Sequence, residues 1–128
     1  MRRWRAARSK PKAPGQMNLT EKKYSEHLEQ CKQTGVVLFW EYEAITFKIA
    51  KNTRFTPDFL VQMSDGTIEF HEVKACKANG QFLAEDDAIV KIKVAQKLFP
   101  MFGFVFCGCL PKNNGWKFRQ FFSEEENG

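Results

Sequence analysis

The 128-residue chain is long enough for one packed core and too short for two. Its 43% hydrophobic content, with 13 phenylalanines, excludes wholesale disorder, and no apolar run approaches the ~20 residues of a membrane span. The net charge of +5 is local: residues 1–17 hold Arg2, Arg3, Arg5, Arg8, Lys10 and Lys12 and no acid, while the remainder carries 14 basic against 15 acidic side chains.

Pro11, Pro14 and Gly15 rule out one continuous helix at the start, so residues 1–17 read as a flexible basic arm. Such an arm raises affinity for phosphate backbones without reading sequence, and Trp4 within it is placed to stack on bases. A plain solvated extension is the other reading. The opening Met1-Arg2-Arg3-Trp4-Arg5 is basic but no apolar segment follows it, so no signal peptide is expected. The expectation is a soluble, cytoplasmic protein.

Asn18-Leu19-Thr20-Glu21 predicts a helix start, with Asn or Thr as cap and an acid in the first turn. Tyr24, Leu28 and Cys31 follow at helical spacing, and Gly35 ends the segment. Residues 36–40 and 44–50 are β-rich, with Lys51-Asn52-Thr53 as a turn. Residues 59–63 and 67–74 read as a third and a fourth strand joined through Ser64-Asp65-Gly66, and 75–84 as a loop. Ala88, Ile92, Ala95 and Phe99 form one apolar stripe that predicts a second helix over 86–99, stopped by Pro100. Residues 102–110 are almost wholly apolar and read as a central strand. After Pro111 and Asn113-Asn114-Gly115, residues 116–122 read as a short edge strand or helix. Residues 123–128 form an acidic, polar tail. The order αβββ(β)αβ predicts an α/β fold: a mixed central sheet between helices, spanning residues 18–122.

Cys31, Cys76, Cys107 and Cys109 contain no Cys-x-x-Cys pair, so they read as reduced thiols rather than a zinc site.

The fourth strand carries an anomaly. Period-two alternation puts Ile68, Phe70, Glu72 and Lys74 on one face, and Glu69, His71 and Val73 on the other. An apolar face thus ends in a carboxylate and an amine, whose burial costs several kcal/mol unless they pair or meet a metal. Asp58 enters the preceding strand behind Pro57, and its direction depends on hairpin register. A two-residue loop at Asp65-Gly66 would pair Asp58 with Val73 and separate the two carboxylates. A three-residue loop with Gly66 in the left-handed conformation pairs Asp58 with Glu72, on the face of Leu60, Ile68 and Phe70. The second register is expected.

Two adjacent carboxylates repel unless a cation lies between them, and Mg²⁺ or Mn²⁺ suits such oxygen donors. Lys74 is within reach of a water at that ion. Metal, carboxylates and lysine together suffice for phosphodiester cleavage. A surface salt-bridge cluster is the competing reading.

Pro57-Asp58 followed by Glu72-Val73-Lys74 resembles the PD-(D/E)xK nuclease motif, and the flanking hairpin, helix and apolar strand suit a restriction-endonuclease-like core. Leu19-Thr20-Glu21-Lys22-Lys23, Phe55-Thr56-Pro57-Asp58-Phe59-Leu60, Glu72-Val73-Lys74 and Glu85-Asp86-Asp87 are similar to small phage-type nucleases, in particular endonuclease I of the Holliday junction resolvase group. The likeness covers about two thirds of the chain.

This resemblance implies a phage- or prophage-encoded, divalent-metal-dependent DNA endonuclease, acting on branched DNA as a homodimer in the host cytoplasm. It implies that Asp58, Glu72 and the backbone carbonyl of Val73 bind Mg²⁺ or Mn²⁺, and that Lys74 is the catalytic lysine. Glu21 matches an acid that completes such metal sites directly or through water; a first-turn acid favoured by the helix dipole is its plainer reading. Lys91 matches a position where these proteins hold a cation near DNA, and Lys93 is its neighbour. For both, a solvated helix face competes, more strongly for Lys93.

The chain departs from the group in three respects. Ala75 stands where glycine is usual after the lysine, the loop from Cys76 is longer, and the C-terminal part is shorter. No dimer element is visible. A nicking or restriction-like nuclease on linear or single-stranded DNA therefore remains open, as does a catalytically silent DNA-binding module. His71 falls on the face opposite Glu72 and reads as packed, and Trp40 and Trp116 read as core.

Overall fold

The computed structural model describes residues 15–83 and 86–121. The arm residues Arg2, Arg3, Arg5 and Arg8, with Trp4, lie outside the described residues, as does the tail at 123–128.

The chain forms an α/β fold on a mixed five-stranded sheet. Helix α1 (Leu19–Gln33) begins at a full capping box: the Asn18 side chain accepts from the Glu21 amide, and the Glu21 carboxylate accepts from the Asn18 amide. The fold starts slightly before this cap, because Met17 packs beneath the helix and Tyr42 donates to the Gln16 carbonyl.

Strand β1 (Val37–Tyr42) pairs antiparallel with β4 (Phe59–Met63), and β4 pairs antiparallel with β5 (Ile68–Ala75). Helix α2 (Asp86–Leu98) crosses over to β6 (Gly103–Cys109), which lies parallel to β5. After a 3-10 turn at Pro111–Asn113, β7 (Trp116–Phe121) closes the edge antiparallel to β6. The sheet order is β1-β4-β5-β6-β7. β6, paired on both sides, is buried through its whole middle, as its unbroken apolar run predicts.

The sheet departs from the expected meander in one place. Residues 44–50 do not add a strand beside β1. Instead β2 (Phe47–Ala50) and β3 (Thr53–Phe55) form a separate two-stranded sheet, and β1 pairs directly with β4. The cause is apolar patterning. Phe47, Ile49 and Phe55 are buried with Phe70, Phe104, Phe106, Ile92 and Ala95, so the hairpin helps α2 cover one face of the sheet. The other face packs Phe59, Val61, Val73, Val105 and Cys107 against Tyr24 and Leu28 of α1.

The segment after β5, expected to be a loop, folds back as a small clasp. Cys76 bridges to Phe82, and both crowd Gly108 so closely that an added Cβ there would lie 2.5 Å from the Phe82 ring. All four cysteines are free. Among the described residues, no helix is long and apolar enough to cross a membrane.

Candidate active site

The β4–β5 register is the expected one. Phe59 faces His71, Leu60 faces Phe70 and Gln62 faces Ile68, which carries Asp58 to the level of Glu72. The turn is the three-residue one. Met63 donates to Thr67 and Gly66 to Met63, with Gly66 at φ +90° and the Asp65 carboxylate accepting from the Thr67 amide.

Asp58 and Glu72 are cross-braced. The Asp58 amide donates to Glu72 Oε1 at 3.1 Å, and the Val73 amide donates to Asp58 Oδ2 at 2.8 Å. Glu21 reaches the same point from the first turn of α1. It is 5% exposed, its Oε1 accepts from Tyr42 at 2.8 Å, and it lies close enough to Asp58 to raise that carboxyl. Glu21 is therefore a helix-start acid, as its plainer reading has it, and it also lies beside the Asp58 carboxyl. Lys74 Nζ lies 3.6 Å from Glu72 Oε2.

Burial pushes the Asp58 carboxyl well above the usual carboxylate range, and the charges of Glu72 and Glu21 push the same way against the Val73 amide. Burial also raises Glu72, with Lys74 and the Asp58 amide opposing. Three carboxyls are thus held together with one nearby lysine, so the cluster is short of positive charge. Among the described residues, no three acidic, imidazole or thiol groups enclose a metal ion as the side chains stand. The donor chemistry nonetheless fits a hard divalent cation: oxygen-only carboxyl donors whose crowding a cation would relieve.

A cleft of about 270 Å³ opens beside this cluster, walled by Arg54, Phe55, Thr56, Glu72, Lys74, Asp87, Ala88 and Lys91. The hairpin supplies one side, α2 the other, and β5 the floor. Lys91 is therefore brought to the carboxylates. Lys93 is exposed and is not part of the cleft wall. Sequence reasoning passed over Arg54. Its only signal was its place four residues before Asp58, in a three-residue strand too short to show alternation.

His71 falls on the opposite face, as expected. Its Nδ1 lies 2.6 Å from the Tyr24 hydroxyl, and its Nε2 lies 2.8 Å from Glu69 Oε1. The buried Cys107 thiol donates to the same hydroxyl at 3.2 Å. Trp116 packs edge-on against Tyr24, and half-buried Trp40 packs on Phe59 while donating to Glu29. These rings are structural. Comparison with known family models, with characterised proteins and with solved structures finds no match to this chain.

Proposed function

We propose that the chain is a divalent-metal-dependent DNA endonuclease built on a restriction-endonuclease-like core of the PD-(D/E)xK type. One observation carries this reading: Asp58, Glu72 and Glu21 converge from three elements at the edge of a cation-lined cleft, with Lys74 beside them. A structural salt-bridge cluster would match acids with bases, whereas here two buried acids and the half-buried Glu72 meet one lysine.

In this reading Asp58 and Glu72 hold Mg²⁺ or Mn²⁺ together with the Val73 carbonyl, and Glu21 completes the set directly or through water. When bound, the ion supplies positive charge beside the phosphate and the leaving oxygen. Lys74, on the same strand face as Glu72, orients the attacking water and helps remove its proton. Arg54 and Lys91 hold the substrate's phosphates in the cleft. The substrate is DNA, branched DNA in the form the resemblance implies, cut by a homodimer.

The test is cleavage of a labelled four-way junction and its matched linear duplex with Mg²⁺ or Mn²⁺, using wild type and Lys74→Ala. Metal-dependent cutting lost in the variant supports the nuclease, and preference for the junction supports a resolvase. Equal cutting of both substrates keeps the nuclease and removes the resolvase. Tight binding without cutting under either metal replaces both with a silent DNA-binding module.

A further inference from the structure

The β2–β3 hairpin has two features that belong together. Its inner face is apolar and seals α2 to the sheet, through Phe47, Ile49 and Phe55. Its outer face sets Lys48 directly opposite Arg54 across the antiparallel pair, and both are exposed. Like charges directly opposite on one strand pair destabilise it. Neither residue makes an ion pair with a described residue, and the same holds for Lys91 across the cleft.

Arg54 and Lys91 stand on opposite walls of the cleft whose floor carries Glu72 and Lys74. Among the described residues, Asp87 is the one carboxylate on the upper walls. This local excess of unpaired positive charge on the hairpin and upper walls is of a kind that a polyanion relieves. A guanidinium offers forked donors suited to a phosphate, and an ammonium a compact charge.

We propose that the β2–β3 hairpin is a nucleic-acid-backbone clamp: Arg54 and Lys91 grip a DNA phosphate across the cleft, and Lys48 holds the next stretch of backbone along the outer face. The inference rests on the nuclease reading for its choice of polyanion, and it adds a substrate-gripping element built from a hairpin outside the central sheet. Because the hairpin's inner face is packed on α2, the clamp is rigid and the cleft stands open to an incoming strand. The contacts are to phosphate, so they set affinity and register without reading bases.

The experiment is fluorescence anisotropy of a labelled linear DNA duplex with the full chain in Ca²⁺, over a series of salt concentrations. The variants are Arg54→Gln, Lys91→Gln and Lys48→Gln, with Lys32→Gln at the far end of α1 as a control. Each clamp variant is expected to weaken binding about 3- to 20-fold. Each should also flatten the slope of log affinity against log salt by about 0.9, the loss of one phosphate contact on duplex DNA. The control should change neither. Slopes for Arg54→Gln and Lys91→Gln that match wild type overturn the clamp. A parallel cleavage assay in Mg²⁺ separates the two ideas. Flattened slopes in a chain that never cuts keep the clamp and remove the nuclease. Cutting by Arg54→Gln and Lys91→Gln with wild-type KM keeps the nuclease and removes the clamp.

Discussion

Asp58 and Glu72 are each anchored by the other's strand: Glu72 accepts the Asp58 amide, and Asp58 accepts the amide of Val73 immediately after Glu72. The two carboxyls are held at fixed positions by backbone rather than by each other. Their mutual crowding is therefore built in, and burial, ahead of that crowding, pushes both carboxyls above their usual range.

A pH dependence follows, with its sign. Both groups take up protons more readily folded than unfolded, so stability in chelator falls as pH rises from the unfolded values, 3.8 and 4.5, through the raised folded ones. Asp58→Asn should remove much of this fall and be more stable than wild type at neutral pH by about 1 kcal/mol or more. Urea unfolding from pH 4 to 8 measures it. Stability that rises over that range in wild type would refute the repulsion argument.

In the proposed site, Mn²⁺ competes with the same protons. Its affinity is expected to increase with pH across the raised carboxyl range, and to be lost in Asp58→Asn and Glu72→Gln. Isothermal titration at three pH values checks both statements.

Lys74→Ala should leave Mn²⁺ binding within a few-fold of wild type and lower the cleavage rate about 10²- to 10⁴-fold, the usual range for a group that handles the proton. It removes the positive charge that opposes the upward shift of Glu72, so the remaining activity should move to higher pH. A rate-against-pH series on both proteins reads the two effects together.

Gly66 sets the register that brings the carboxylates level. An added Cβ there meets no atom within 4 Å, so Gly66→Ala tests backbone conformation alone. The left-handed φ of +90° should make it cost about 1–2 kcal/mol, seen as a lower urea midpoint with unchanged slope. Deleting Ser64 instead shortens the loop by one residue and sends Asp58 to the other face, so Mn²⁺ binding should vanish even where the chain still folds.

Tyr24 lies one helical turn after Glu21 and fastens α1 to β5 through His71. Tyr24→Phe strands the His71 ring and the Cys107 thiol, at a cost of about 1–3 kcal/mol. Because the same helix delivers Glu21, the variant should also weaken Mn²⁺ binding. A variant that is destabilised yet binds Mn²⁺ as tightly as wild type would show that Glu21 is placed by its own cap and Tyr42 alone.

Where a feature was legible in the sequence, it was encoded within a few neighbouring residues. Asn18 and Glu21 announce the helix start by their spacing, and Ser64-Asp65-Gly66 fixes the turn, hence the faces of all eight residues of β5. Strand pairing across distance was not encoded this way. Residues 44–50 have the composition of a strand, but nothing in them says that Phe47 and Ile49 pack with Ile92 and Phe104 rather than beside β1. Arg54 was invisible for the same reason. An exposed arginine acquires meaning only when a helix more than thirty residues later supplies the other wall of its cleft.

The amide of Glu43 donates to the carbonyl of Asp58 at 2.8 Å, joining the end of β1 to the start of β4 and closing residues 44–57 into a loop with a fixed neck. Beyond the neck the hairpin is anchored by side chains to α2 and to the rings of Phe70 and Phe104, while Asp58 is anchored by backbone to β5. In the nuclease reading, the chain thereby separates what holds the chemistry from what meets the substrate. The tip of the excursion, Lys51-Asn52, can change length or charge without touching those backbone anchors. In the nuclease reading that tip is a cassette, and exchanging it is the shortest route to a new substrate for an old site.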